Sequence, residues 1–188
     1  AKEWEESPQV VQYSKLAFKS LSRIVELDGL HILDFGCGTG LLSEQLSPKA
    51  KKIVSLDPST KMIQVLKNKN LPNVIMIDRI LTKDLIESSA LFSMKFDLIV
   101  ASSVCGFLPN YVETLKLIKS MLIQNGVFVQ WDWLANKDNS EIGLTMNEIE
   151  FGFKEAKLEL SSLTEPFSME HEGMAMPVIM AVGKNYYQ

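Results

Sequence analysis

Short apolar segments alternate with helical segments along most of the chain, and this alternation constrains the fold more than any other feature. Five such segments have the length of strands, and they cover residues 31–35, 52–56, 74–77, 96–101 and 127–131. Continuously apolar strands separated by helices are typical of a parallel sheet that helices cover on both faces. The pattern therefore predicts an α/β fold built on one doubly wound, mostly parallel sheet.

Helices are predicted between these strands and on both sides of them. Ser7 and Pro8 resemble the start of a helix in the lead-in, and Thr145 with Glu148 forms a capping-box pattern that opens a helix to about residue 158. The other predicted helices cover residues 41–46, 59–69, 81–91 and 111–122, and two further strands are predicted near residues 158–163 and 177–183. We divide the single domain into a helical lead-in and possible lid (1–29), a core (30–133) and a tail (134–188).

Composition excludes several classes of function. The 188 residues suit about one domain, and the net charge of −4 comes without any block of lysines or arginines, so we expect no nucleic-acid partner. The longest apolar stretches have the length of strands, so we expect no membrane span. Two cysteines are too few for a disulfide scaffold, which favours a reducing, cytoplasmic compartment.

A glycine-rich loop follows the first predicted strand in the sequence ILDFGCGTG, residues 32–40. Glycine at positions 36, 38 and 40 lets the backbone turn sharply and brings a ligand close to main-chain N–H groups. Asp34, Asp57 and Asp78 each lie at the end of one of the first three strands. Since open sheets of this type bind ligands at the carboxyl ends of their strands, we expect a nucleotide-like ligand there, with Asp57 placed to accept from ribose hydroxyls.

The spacing of the glycines decides between types of nucleotide. A dinucleotide-binding loop has the pattern G-x-G-x-x-G, but the sixth position counted from Gly36 is Leu41, and counted from Gly38 it is Ser43. A pyrophosphate site is therefore disfavoured, and a nicotinamide-dependent oxidoreductase is the weaker alternative. No P-loop pattern is present either.

Five segments together resemble the successive motifs of class I S-adenosylmethionine-dependent methyltransferases. They are ILDFGCGTG, VSLDPS, IMIDRI, FDLIVASSV and NGVFVQWDW, and they occur in the family's order between about residues 30 and 183. The resemblance implies the Rossmann-like methyltransferase fold, which has a seven-stranded sheet. In that fold the last strand is antiparallel and lies between strands five and six.

The resemblance also implies a cofactor, S-adenosylmethionine, with S-adenosylhomocysteine as its product. Asp57 would hold the ribose hydroxyls, Met62 would cover the adenine and Ser102 would lie beside the methionine portion. The residues expected to bind the cofactor are Asp34, Gly36, Cys37, Gly38, Asp57, Pro58, Met62, Asp78, Arg79, Ile80 and Ser102. Methyl transfer is an in-line displacement, so positioning of the acceptor supplies much of the acceleration.

The segment after the fourth strand departs from the family pattern. Many members that act on small molecules carry one or two histidines before a Leu-Pro pair, but here residues 104–109 read VCGFLP. The motif of amino-group methylating members is also absent, so the catalytic residue is unknown, with His171 and Asp132 as candidates for a proton acceptor. Cys105, Phe107, Trp131 and Asp132 are the residues expected to line the acceptor pocket.

Four aromatic residues leave alternatives open. Trp131 and Trp133 flank Asp132 and form either an aromatic wall beside one carboxylate or one core indole and one surface acid. Trp4 and Tyr13 belong either to a lid over the cofactor or to plain packing.

We therefore expect an enzyme that transfers a methyl group to a small molecule, because little chain remains for a separate recognition domain. The alternative is a non-catalytic subunit on the same fold that binds a cofactor or a partner. No Cys/His cluster has the spacing of metal ligands, so we expect no metal. The oligomeric state is left open.

Overall fold

A single seven-stranded sheet organises the molecule. The computed structural model describes residues 1–135, 143–171 and 173–186, apart from the side chains of Lys2 and His171. The strands are β1 (His31–Phe35), β2 (Lys52–Leu56), β3 (Val74–Ile77), β4 (Phe96–Ser102), β5 (Leu122–Trp133), β6 (Glu159–His171) and β7 (Met174–Lys184). Their order is β3-β2-β1-β4-β5-β7-β6, with β7 antiparallel to both of its neighbours. This confirms the predicted sheet and the position of its last strand.

Helices cover both faces of the sheet. They are α1 (Lys2–Glu6), α2 (Pro8–Leu21), α3 (Leu41–Leu46), α4 (Thr60–Asn68), α5 (Lys83–Ser88), α6 (Tyr111–Met121) and α7 (Met146–Glu155), with one 3-10 turn at Cys105–Phe107. The predicted capping box forms at the start of α7, where Thr145 Oγ1 accepts from the Glu148 amide and the Glu148 carboxylate accepts from the Thr145 amide.

Two apolar clusters, one on each face of the sheet, form the core. Because side chains along a strand alternate between faces, Ile32 packs against α2, α3 and α4 while Leu33 packs against the opposite layer. That opposite layer contains α6 and α7, together with partly buried residues of α5. The doubly wound arrangement is therefore confirmed.

Three boundaries differ from those predicted. The lead-in forms two helices, the second of which ends at Leu21. β5 begins at Leu122 and not at residue 127, and it contains an irregularity: Phe96 pairs with Leu122 and Leu98 pairs with Val127, so β5 carries extra residues between these pairs. β6 extends to His171, much further than residue 163, because its pairing with β7 continues along the whole hairpin.

Trp131 joins α2 to the centre of the sheet. Its side chain is fully buried, and its indole Nε1–H donates to Ser20 Oγ at 2.9 Å. Ser20 Oγ in turn donates to the Ala17 carbonyl at 2.8 Å, so both polar groups are satisfied. None of the helices in the described part of the chain is long and apolar enough to cross a membrane.

Replacement of this indole tests how α2 is attached. Trp131→Phe removes the hydrogen bond to Ser20 and leaves a small void, so we expect the free energy of unfolding to fall by about 2 kcal/mol. Urea denaturation would measure the loss. Trp4→Phe is the matched control, because Trp4 is 52% exposed and its replacement should cost less than about 0.5 kcal/mol. Equal losses in the two variants would contradict the role given to Trp131.

Candidate functional site

Two side chains pack closely against the backbone of the glycine loop between β1 and α3. A Cβ atom on Gly36 would lie 2.3 Å from a methyl carbon of Val104, and one on Gly40 would lie 2.2 Å from a methyl carbon of Leu66. At Gly38, by contrast, φ is +53° and an added Cβ would meet nothing within 4 Å. Gly36 and Gly40 therefore serve packing, while Gly38 presents open backbone to the space beyond the sheet.

Asp57, which follows β2, is fixed by two backbone amides. Its Oδ2 accepts from the Gly38 N–H at 3.0 Å and its Oδ1 from the Ser59 N–H at 2.8 Å. Each carboxylate oxygen has a second lone pair available. The side chain is only half-buried, so it can accept from a ligand while it holds the loop.

Asp34 lies at the end of β1 and is almost completely buried. Ser43 Oγ donates to it at 2.6 Å, and Ser43 and Ser55 are themselves in hydrogen-bond contact at 2.7 Å. Burial raises the pKa of Asp34 to about 6 against the lowering effect of the Ser43 hydrogen bond, and the charge of Asp57 raises it further.

A cavity of about 1150 Å³ opens at the carboxyl edge of the sheet. Its floor is formed by the loops after β1, β2 and β4, and its walls by α1, α2 and the ends of β5, β6 and β7. Small-molecule sites typically occupy roughly 300–1,000 Å³, so this cavity is large enough for a nucleoside cofactor beside a second small molecule.

Both N-terminal helices line this cavity, and an ion bridge holds the first of them. Lys69, which caps α4, contacts Glu5 of α1 at 2.5 Å and Glu44 of α3 at 2.6 Å. Trp4 and Tyr13 are among the lining residues, so the lead-in covers the site. The lid interpretation of these helices stays a prediction.

Most of the residues predicted to bind a cofactor surround the cavity. Those that line it are Asp34, Gly36, Cys37, Gly38, Asp57, Pro58, Met62, Ile80 and Ser102. Asp78 and Arg79 do not: both are exposed, and Asp78 accepts a long hydrogen bond of 3.4 Å from Thr60 Oγ1.

The predicted acceptor pocket needs correction at three of its four positions. Phe107 lines the cavity and is 65% exposed. Trp131 lies beneath α2, and Cys105 is buried in the apolar cluster on the other face of the sheet. Asp132 is also buried on that face, because it alternates with its two tryptophan neighbours along β5. The side chain of His171, the other candidate, lies outside the described part of the structure.

Asp132 supports the cavity wall from below. Its Oδ1 accepts from the Gly106 N–H at 2.9 Å and its Oδ2 from Gln130 Nε2 at 3.0 Å, while Tyr111 donates to Gln130 Oε1 at 2.8 Å. Burial raises the pKa of Asp132 to about 7, and the amide donors of the turn partly offset this rise. This carboxyl group therefore fixes the turn that carries Phe107.

Other lining residues were not among those expected in the acceptor pocket. Trp133, for which an aromatic wall was left open, lines the cavity, because it shares a face with Trp131 but lies two residues nearer the end of β5. Its position as the last residue of a strand on the ligand side was the signal available. Met169 and Met176 also line the cavity, because the β6–β7 hairpin extends as far as this edge of the sheet. No sequence pattern indicated that the hairpin is so long.

The two cysteines are buried. Cys37 and Cys105 are buried free thiols, and burial raises the pKa of each. Among the residues that the structure describes, no group of three or more His, Cys, Asp or Glu side chains could hold a metal ion.

Comparison with known proteins agrees with this arrangement. A family model described as "Methyltransferase domain" matches residues 11–171. An uncharacterized methyltransferase of Schizosaccharomyces pombe is 32% identical over 127 residues, which cover 64% of this chain and 45% of that protein. The ubiquinone biosynthesis O-methyltransferase of Coxiella burnetii is 29% identical over 114 residues, which cover 57% of this chain and 45% of that protein. The matches thus span less than half the length of these relatives.

A solved structure extends the likeness to the whole fold. An S-adenosylmethionine-dependent methyltransferase from Aquifex aeolicus superposes with a TM-score of 0.76 at 16% identity, covering 97% of this chain and 96% of that one. The chain therefore belongs to the methyltransferase-domain family, and it has the fold of class I S-adenosylmethionine-dependent methyltransferases. The family and the fold imply S-adenosylmethionine as the cofactor.

The two buried carboxyl groups predict a specific pH dependence of stability. An unfolded aspartate titrates near pH 4, so the native state binds more protons than the unfolded state between about pH 4 and pH 7. The free energy of unfolding should therefore fall as the pH rises through this window. Asp132→Asn removes one of the two titrations and should give a smaller fall, measured by urea denaturation at stepped pH.

Asp28→Asn is the control for this measurement, because Asp28 is exposed. Its profile should run parallel to that of the wild type. If the Asp132→Asn profile also ran parallel to the wild type, the raised pKa of Asp132 would be wrong.

Proposed function

We propose that this chain binds S-adenosylmethionine in the cavity at the carboxyl edge of the sheet and transfers its methyl group to a small-molecule acceptor. The observation that carries the proposal is the open backbone at Gly38, held by the Asp57 carboxylate. A Cβ atom added at Gly38 would meet nothing within 4 Å, although one added at Gly36 or Gly40 would collide with a neighbouring side chain. A ligand lying against the loop would occupy that space.

The residues around the loop suit the parts of this cofactor. Asp57 has lone pairs left to accept from two ribose hydroxyls. Met62, Ile80 and Leu81 form an apolar wall on the same side of the cavity, which suits a purine ring. Ser102 and Ser103 lie at the other end of the loop and offer hydroxyl groups to the methionine portion.

Positioning is the main contribution that these residues would make to catalysis. The bound cofactor supplies an electrophilic methyl group on a sulfonium centre. Asp57 and the loop amides fix one end of the cavity, and the 3-10 turn held by Asp132 fixes the wall on the acceptor side. Because α1 and α2 cover the cavity, they would exclude water and hold the acceptor within reach of the methyl group.

Two observations favour a small-molecule acceptor. The cavity has room for a second small molecule beside the cofactor, and the Coxiella relative is named as an O-methyltransferase of ubiquinone biosynthesis. The non-catalytic alternative keeps the same cofactor site and differs only in lacking turnover.

A matched pair of glycine substitutions tests the cofactor site. Gly38→Ala and Gly29→Ala both place alanine at a positive φ, +53° and +77°, with nothing within 4 Å of the added Cβ. Each should lose about 1–2 kcal/mol of stability through backbone strain. Only Gly38 lines the cavity, so only Gly38→Ala should weaken S-adenosylmethionine binding, by at least about tenfold or 1.4 kcal/mol in calorimetric titration.

Thermal unfolding with added ligands completes this test. The wild type should be stabilised by S-adenosylmethionine and S-adenosylhomocysteine and not by NADH. Stabilisation by NADH alone, or equal losses of affinity in the two alanine variants, would refute the proposed site. Bound cofactor without methyl transfer to any acceptor in a screen would favour the non-catalytic alternative.

A further inference from the structure

The charged side chains that line the cavity are acidic. Asp34 and Asp57 lie at its floor, and Glu3 of α1 and Glu170 of β6 lie on its walls. Among the residues that the structure describes, no lysine, arginine or histidine side chain lines the cavity, and the α-amino group of Ala1 is the one basic group there. A cleft lined by one sign of charge concentrates its field on a bound ligand. The cavity therefore favours a ligand of positive charge over one of negative charge.

Two of these carboxylates lie on the walls and are not paired within the protein. In the described part of the chain, the side chains of Glu3 and Glu170 make no ion pair and no hydrogen bond. Glu5, on the same helix as Glu3, is by contrast held by Lys69. Both Glu3 and Glu170 are exposed, so a ligand in the cavity can reach their carboxylates. They are available to an acceptor, whereas Asp57 already holds the glycine loop.

The end of β6 that carries Glu170 is fixed against its neighbours. Gln9 Nε2 of α2 donates to the Glu170 carbonyl at 3.3 Å, and Glu170 pairs with Ala175 of β7. The backbone at this point of the wall is thus already ordered. Only the Glu170 side chain has to lose freedom when it binds a ligand, which keeps the cost of binding low.

Aromatic side chains lie on the same walls. Trp4 follows Glu3 on α1, Trp133 ends β5, and Phe107 lies on the 3-10 turn. Trp4 is 52% exposed and Phe107 is 65% exposed, so a ligand can cover both rings. The face of an aromatic ring attracts a cation, and the indole of tryptophan does so most strongly. Carboxylates beside aromatic rings therefore suit an organic cation, which brings both an apolar body and a positive charge.

From these observations, and resting on the proposed function, we infer the class of the methyl acceptor. The acceptor is a small organic amine that is protonated near neutral pH, and Glu3 and Glu170 select it by its charge. Trp4 and Phe107 cover its apolar part. The same carboxylates repel acceptors that carry a carboxylate or a phosphate group.

The positive charge of the cofactor does not cancel this preference. S-adenosylmethionine carries one net positive charge and Ala1 supplies another, but four carboxylates line the cavity. The cavity therefore stays acidic when the cofactor is bound.

The charge of the acceptor is compatible with methyl transfer. A lone pair of the acceptor forms the new bond to the methyl carbon, and the electron pair of the broken carbon–sulfur bond stays on sulfur. An acceptor methylated at the charged nitrogen first releases its proton to water, because attack needs the lone pair. An acceptor methylated at another atom keeps its charge throughout.

Ligand binding without turnover tests the inference. The protein is saturated with S-adenosylhomocysteine, and 2-phenylethylamine, 2-phenylethanol and 3-phenylpropanoate are titrated separately at about pH 7, with tryptophan fluorescence as the readout. The three probes share a phenyl ring on a short chain and differ in charge. The wild type should bind the amine about tenfold more tightly than the alcohol, and the carboxylate more weakly than the alcohol. Added salt should reduce the preference for the amine, because it screens exposed charges.

Neutral substitutions test the two carboxylates. Glu3→Gln and Glu170→Gln should each lower the affinity for the amine by about threefold, and together they should remove its advantage over the alcohol. Glu6→Gln and Glu165→Gln are the matched controls, because each removes an exposed carboxylate from the same helix or strand at a position that does not line the cavity. The controls should bind the amine within about twofold of the wild type. All four variants should keep their affinity for the alcohol and for S-adenosylhomocysteine, which a role in folding or in cofactor binding would change.

The remaining outcomes would each overturn the inference. If the alcohol or the carboxylate bound as tightly as the amine, the cavity would not select a cation. Equal losses in the control and test variants would mean that the net charge of the protein, and not Glu3 and Glu170, attracts the amine. Failure of the saturated wild type to bind any of the three probes would overturn the acceptor class alone. Failure of the wild type to bind S-adenosylhomocysteine would instead overturn the proposed function and, with it, this inference.

Discussion

The contact between the glycine loop and its neighbours is the constraint on which the site depends. Gly36 admits the side chain of Val104, which follows β4, and Gly40 admits Leu66 from α4. Any larger residue at either position would push these elements apart, since the added Cβ would lie under 2.5 Å from a side-chain carbon. The loop thus locks three crossover connections together at one edge of the sheet. Gly38, left free between the two packed positions, faces the cavity that this junction creates.

Most of the fold could be predicted from the sequence because its signals are local. Continuous apolar segments such as residues 31–35 and 96–101 mark strands buried on both faces, and the capping box at Thr145 marks where α7 begins. The boundaries that differed depend on pairing between distant segments. Asn125 and Gly126 have the composition of a turn, and Asn125 has a positive φ of 62°, but they lie in an irregularity inside β5, between the residues that pair with Phe96 and Leu98 of β4. The length of β6 is likewise set by its partner β7 and not by its own residues.

Some residues of the site could likewise be identified from local sequence, whereas others depend on tertiary structure. The loop glycines and Asp57 were identifiable because each directly follows a predicted strand. The acceptor side was misassigned because it depends on which face and which depth of the sheet a residue occupies. Trp131 and Trp133 share a face, yet α2 covers the first and leaves the second at the cavity. Tyr13 could not be ranked above plain packing from sequence, since only the folded structure shows that α2 places it beside the cavity.

The ion pairs of Lys69 connect α1, which lines the cavity, with α3 and α4. Lys69 caps α4, the helix that also carries Met62, and it holds Glu5 of α1 and Glu44 of α3 together. A ligand that displaces α4 therefore also displaces the residue that anchors α1. By thermodynamic reciprocity, if binding of a ligand depends on this bridge, the bridge depends on the ligand to the same degree. Because Glu44 is half exposed and Glu5 is not, ionic strength weakens the link from Lys69 to α3 more than the link to α1.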